Sequence, residues 1–144
     1  MSPDQVIYDY AMSWLLRPYS FGGDDFTGID CSGLCLELLK ACGHAPPIDM
    51  SAQGLFEYFK EGSIRDFKRF GSLAFYGKSE TKISHVGFCL NEVLLIEAGG
   101  GTSRTIDERQ ASRDNAFVRI RPITGRSDLV SVLRPVYTRI GESI

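Results

Sequence analysis

A cysteine at the head of an apolar run and a histidine far from it, in strand-like sequence, are the two parts that thiol catalysis needs. The cysteine is Cys31, in Asp30-Cys31-Ser32-Gly33, approached through Tyr19-Ser20-Phe21-Gly22-Gly23. The histidine is His85, in Ser84-His85-Val86-Gly87. A helix start carries partial positive charge and N–H groups without helical partners, and both favour a thiolate. An imidazole beside it can take the thiol proton and later return it to a leaving group. The chain has 2 histidines, so few candidates for the base exist. His44, in the proline-rich His44-Ala45-Pro46-Pro47, reads as an exposed loop residue.

The neighbours of Cys31 suit the same chemistry. Ser32 and Gly33 are small and leave room for a carbonyl beside the sulfur. The backbone N–H of Cys31 is a natural donor to an oxyanion, because first-turn N–H groups have no helical acceptor. Asp30 stands where a helix cap belongs. Tyr19 can offer a hydroxyl donor or shape a cleft, and can equally be an ordinary half-buried tyrosine. On a strand, His85, Gly87 and Cys89 share one face, and Gly87 is expected to leave open space beside the imidazole.

The elements that must position these groups follow from periodicity and punctuation. Ser2, Pro3 and Gln5 form a capped helix start, with Val6, Ile7, Tyr10, Ala11, Trp14 and Leu15 at helical spacing. Arg17-Pro18 is expected to end that helix. Residues 19–29 form a glycine-rich loop. A second helix is expected from Cys31 to Cys42, stopped by Gly43, and a third from Ser51 to Lys60, closed by Gly62. The period then changes. Residues 73–76, 85–90 and 93–97 read as strands, with Asn91-Glu92 as a hairpin connection. Gly99-Gly100-Gly101 reads as a flexible loop and residues 105–114 as a short helix. Phe117-Val118-Arg119-Ile120-Arg121 alternates like a half-buried strand. A last strand over 130–137 is expected to be partly an edge because of Pro135. Helices first and strands after predict an α+β fold with an antiparallel sheet.

With 144 residues, 43% apolar and 24% charged, the chain reads as one folded domain over residues 1–144. A net charge of −2 gives no reason to expect nucleic acid as a partner. Arg113, Arg119, Arg121 and Arg126 make the late segment locally basic, which reads as a solvated face. Cys31, Cys35, Cys42 and Cys89 contain no Cys-x-x-Cys pair and no zinc spacing. Cys35 and Cys42 follow Cys31 on the same helix and read as small buried residues. Met1-Ser2-Pro3-Asp4-Gln5 lacks the features of a signal peptide, and no stretch is long enough to span a membrane. The expectation is a chain made in the cytoplasm.

In order, these motifs resemble the NlpC/P60 cysteine peptidases, which cut peptides of the bacterial cell wall. The matching blocks are Tyr19 to Gly23, Asp30 to Gly33 and His85-Val86-Gly87. Gly71-Ser72-Leu73-Ala74-Phe75 departs from the family pattern, with Ser72 where Asp is usual. The third catalytic position, usually His, falls on Glu97 in Leu95-Ile96-Glu97-Ala98. A carboxylate there can orient the imidazole and stabilise its charged form. The resemblance implies a papain-like fold with the nucleophile helix packed on the sheet. It implies catalysis by Cys31, His85 and Glu97, with Tyr19, Asp30 and Ser32 toward the substrate and Asp30 meeting a peptide amino group. The substrate would be a peptidoglycan stem peptide, cut beside D-glutamate and a diamino acid, without a metal or organic cofactor. A wall substrate then implies delivery by a virion, a pore or a secretion machinery, as in phage-associated members. Two other readings stay open: a thiol amidase or acyltransferase on another substrate, and a structural tail or binding module that keeps the fold.

Overall fold

The computed structural model describes residues 2–138 and 140. Helix α1 (Pro3–Met12) opens as its cap signal requires, with the Ser2 hydroxyl accepting from the Gln5 amide at 3.2 Å. It closes earlier than Arg17-Pro18. The Ser13 hydroxyl bonds back to the Tyr10 carbonyl, and Leu16 turns into the left-handed region at φ 67°. Backbone bonds from Leu16 N–H to Val118 and from Val118 N–H to Arg17 recruit this stretch to the sheet edge.

The loop after Pro18 is more ordered than its glycines suggest. Strands β1 (Asp24–Asp25) and β2 (Gly28–Ile29) form a two-stranded ladder inside it. Helix α2 (Cys31–Ala41) follows, and Gly43 takes the left-handed φ of 73° that ends it. Helix α3 (Ala52–Phe59) is capped by Ser51 on the Gly54 amide at 3.1 Å.

The rest builds one antiparallel sheet: β3 (Ile64–Arg65), β4 (Leu73–Gly77), β5 (Ile83–Cys89), β6 (Leu94–Gly99), β7 (Phe117–Pro122) and β8 (Leu129–Arg134), in the order β3-β8-β4-β5-β6-β7. The fold is thus α+β, as expected. Strand β8 corrects the edge expectation. It ends at Arg134, before Pro135, and lies between β3 and β4, so the proline costs the ladder no bond. Helix α4 (Glu108–Asp114) starts later than Thr105, because Asp107 caps it on the Gln110 amide. Thr105 is buried in the preceding turn and donates to Asp114 at 2.8 Å.

The sheet is covered on both faces. Leu34, Leu38, Leu55 and Phe56 of the helices pack with Phe75, Val86, Phe88, Ile96 and Val118. Ala74, Tyr76, Cys89, Leu95, Ile123 and Val132 form a smaller cluster. A fully buried Leu or Phe contributes about 2 kcal/mol. Exposed pairs such as Lys60–Glu57 and Arg65–Glu80 are screened by solvent and contribute little, so apolar burial holds the fold.

One register detail places the site. Strands β5 and β6 pair only at Phe88–Ile96 and Cys89–Leu95. By contrast, β4–β5 pairing runs on to Ile83 and β6–β7 pairing to Gly99. These two neighbouring strands therefore part at the end that carries His85 and Glu97. No helix among the described residues is long and apolar enough to cross a membrane.

Candidate active site

Cys31 is the first residue of α2 and is half-buried. Asp30 holds this helix start. One carboxylate oxygen accepts from the Gly33 amide at 2.8 Å and from the Ser32 hydroxyl at 3.3 Å, and the other accepts from the Gly22 amide at 2.9 Å. Asp30 thus caps the helix and ties the glycine loop to it. Among the described residues, the N–H groups of Cys31 and Ser32 have no hydrogen-bond acceptor in the protein. They are available to a developing oxyanion. Asp30→Ala should cost about 1–2 kcal/mol of stability through lost capping, seen as a thermal midpoint some degrees lower. An unchanged midpoint would mean that other contacts hold the loop.

His85 and Glu97 meet across the parted strands. Imidazole Nε2 lies 2.9 Å from Glu97 Oε1. The remaining ring nitrogen, Nδ1, is left for Cys31, which lies close enough to the imidazole to favour its charged form. Both side chains are nearly closed to solvent, at 9% and 5% exposure. Burial alone would disfavour a charged imidazole, but the hydrogen bonds and charges of Cys31 and Glu97 outweigh it and lift His85 from 6.5 to about 9. Burial likewise opposes a charged Glu97, yet His85 and Arg119 hold its carboxyl below the usual value. An imidazolium–carboxylate pair therefore persists through neutral pH.

A raised histidine pKa stabilises the fold fully below about 6.5, and that contribution is lost as pH rises through about 9. The thermal-midpoint advantage of wild type over His85→Gln should accordingly shrink between pH 6.5 and 9.5. A pH-independent difference would mean that the imidazole is not charged at neutral pH.

The other cysteines are different. Burial pushes Cys42 and Cys89 up to about 12 and Cys35 well above its ordinary value. All four cysteines are free.

The structure thus brings together Cys31, His85 and Glu97, with Asp30, Ser32 and Tyr19 beside them. Tyr19 is buried under Gly101, where a Cβ would lie 2.1 Å from the Tyr19 ring. Burial, with Cys31 and Asp30 nearby, raises its phenol pKa, so the hydroxyl remains a donor. A groove of about 300 Å³ lies beside Asp30 and Ser32, lined also by Gly23, Asp24, Glu37 and Asp49 among others, but not by Cys31. Its carboxylates, opposed by Lys40, suit an ammonium group.

Three expectations are corrected. The space at Gly87 is filled by Leu95, since a Cβ there would lie 2.9 Å from a Leu95 methyl. His44 is half-buried rather than exposed, with ring contacts to Phe59 and Tyr137. The late arginines are not one solvated face. Arg119 donates to Glu97 Oε2 at 3.2 Å, and Arg126 pairs with Asp128. Ser72 is buried in a turn, its hydroxyl shared between Phe67 and Arg69 backbone groups.

Among the described residues no group of three His, Cys, Asp or Glu is arranged to hold a metal. The model of the NlpC/P60 family matches residues 16–120. The chain belongs to the NlpC/P60 family. Its fold is similar to that of an NLP/P60-family lipoprotein-like protein from Staphylococcus aureus, with a TM-score of 0.65 and 23% identity over 94% of this chain and 42% of that one. It is similar to the NlpC/p60 domain of the peptidoglycan hydrolase SagA, with a TM-score of 0.64 and 19% identity over 90% and 97% of the two chains. It is also similar to RipD from Mycobacterium tuberculosis, a non-catalytic NlpC/p60 domain protein adapted to peptidoglycan binding, with a TM-score of 0.66 and 18% identity over 94% and 98%. At these identities the likeness is one of fold. This chain spans less than half the length of the Staphylococcus aureus protein. A comparison with curated proteins gives no match.

Proposed function

We propose that this chain is a cysteine endopeptidase or amidase acting on peptidoglycan stem peptides, with D-glutamyl-diamino acid amides as the bond class. The observation that carries it is the His85–Glu97 pair beside Cys31, with Cys31 at a capped helix start. The Cys31 thiolate attacks the amide carbonyl, and the oxyanion is received by first-turn N–H groups. The imidazolium of His85 gives its proton to the departing amine as the C–N bond breaks, leaving a thioester on Cys31. His85 then takes a proton from water, whose oxygen attacks the thioester, breaks the C–S bond and releases a carboxylic acid that ionises to solvent, leaving the Cys31 thiolate and the His85 imidazolium restored. Glu97 holds the imidazole through Nε2 and stabilises its charge. Asp30, Ser32 and Tyr19 face the substrate, and the acidic groove would seat a peptide amino group. Delivery to the wall by a phage particle or a secretion machinery belongs to the same proposal.

The test uses a synthetic L-Ala-γ-D-Glu-diamino acid tripeptide, with and without hydroxylamine. Hydrolysis gives the dipeptide and the free diamino acid. Hydroxylamine should divert the acyl group to a dipeptide hydroxamate, identified by mass. Neither product with that peptide, nor with longer stem peptides, would count against the substrate class. RipD shows that this fold also serves binding without catalysis. A relative of that kind would hold the peptide without forming a hydroxamate.

A further inference from the structure

We propose that Arg119 is a positioning residue of the Cys31 site, acting through Glu97 to fix which carboxylate oxygen faces His85 and to keep that carboxylate charged. This rests on the catalytic reading of Cys31, His85 and Glu97.

Glu97 and Arg119 are directly opposed in the β6–β7 register. The carboxylate is divided: Oε1 meets His85 Nε2 at 2.9 Å, and Oε2 receives Arg119 Nε at 3.2 Å. Glu97 is 5% exposed, whereas Arg119 is 31% exposed, so the guanidinium closes the carboxylate off from solvent. Gly99 makes this approach possible, and Gly100 leaves the guanidinium in ordinary contact. A Cβ on Gly99 would lie 2.6 Å from Glu97 Oε2 and 2.9 Å from one Arg119 nitrogen, and a Cβ on Gly100 would lie 3.4 Å from another. A glutamate is longer than a side chain with one methylene fewer and has more ways to turn. Without a partner on Oε2, a buried carboxylate would leave one oxygen unpaired, and it would rotate or take up a proton.

The remaining charged and titratable groups around Glu97 do not replace Arg119. Tyr76 on β4 lies beside His85 and bonds through its hydroxyl to the Ile123 carbonyl. Arg126 lines a small pocket together with Glu97 and Arg119 but is engaged with Asp128 at 2.8 and 2.9 Å. Arg121 lines that pocket without a hydrogen bond to Glu97 among the described residues. Cys35, on the α2 side, is driven to its neutral form by burial.

The experiment is the pH dependence of Cys31 alkylation by iodoacetamide, read by mass on the Cys31 peptide. It needs no substrate, so it remains informative even if no stem peptide is cut. In Arg119→Met the pH of half-maximal alkylation should move up by about one unit, with labelling at pH 5.5 about tenfold slower. Arg119→Lys, which keeps the cation, should restore most of that loss. Arg121→Met should leave the profile in place. In a Glu97→Gln background, which buries no orphan charge and so keeps the comparison folded, adding Arg119→Met should change labelling less than twofold. An unmoved profile in Arg119→Met, or an equal shift with and without Glu97, would overturn the proposal. A moved profile with no cleavage of any stem peptide would uphold the positioning role and overturn only the substrate class.

Discussion

Replacing Cys31 by alanine should abolish hydrolysis, lowering turnover by about 10⁴-fold or more while leaving the thermal midpoint within a few degrees. The side chain is half-buried and supplies no capping bond, since Asp30 holds the helix start through Gly33 and Gly22. Its removal therefore deletes chemistry and little else. No other thiol can substitute: Cys35, Cys42 and Cys89 are buried and kept neutral by burial. Turnover is to be measured on the stem peptide with protein whose fold has been checked by circular dichroism. Residual activity within tenfold of wild type would exclude Cys31 as the nucleophile.

His85→Gln should cost about 10³–10⁴-fold in turnover, with much less effect on peptide affinity. Glutamine can still donate a hydrogen bond to Glu97, so the buried carboxylate is not abandoned, but it cannot carry a proton at neutral pH. The loss would thus report proton transfer rather than collapse of the site. Labelling of Cys31 at mildly acidic pH should fall in parallel, because the cation that supports the thiolate is gone. A variant that turns over normally would mean that another group accepts the proton. His44 is ill-placed for that, engaged as it is with Phe59 and Tyr137.

How much of this was legible in the sequence depends on range. Helix caps are local, and Ser2, Asp30 and Ser51 could each be read from their own neighbourhood. Cys31 and His85 could be singled out as candidates because few residue types do this chemistry and their surroundings are distinctive. The apolar neighbours of Glu97 fit a strand inside the sheet, and β6 lies between β5 and β7. What escaped was set by register. Arg119 looked like one arginine of a solvated face, and only the β6–β7 pairing sets it against Glu97. Gly87 looked like open space beside the imidazole, and only the neighbouring strand supplies the Leu95 methyls that fill it. The short β1, β2 and β3 strands carry too few residues for periodicity to show. The parting of β5 from β6 has no local signal at all, although it is what lets Cys31, His85 and Glu97 converge. A cross-strand signal did exist at one place: Gly99, at the end of its strand, marks a close approach, which Glu97 and the guanidinium of Arg119 make.

The most direct measurement is digestion of purified muropeptides by wild type and by Cys31→Ala, side by side, read by mass spectrometry. Fragments that differ from the substrate by one water across a stem-peptide amide, produced by wild type and absent with Cys31→Ala, are the expected result. Identical spectra from the two proteins, whether both cut or both leave the peptides intact, would contradict a thiol peptidase of the cell wall.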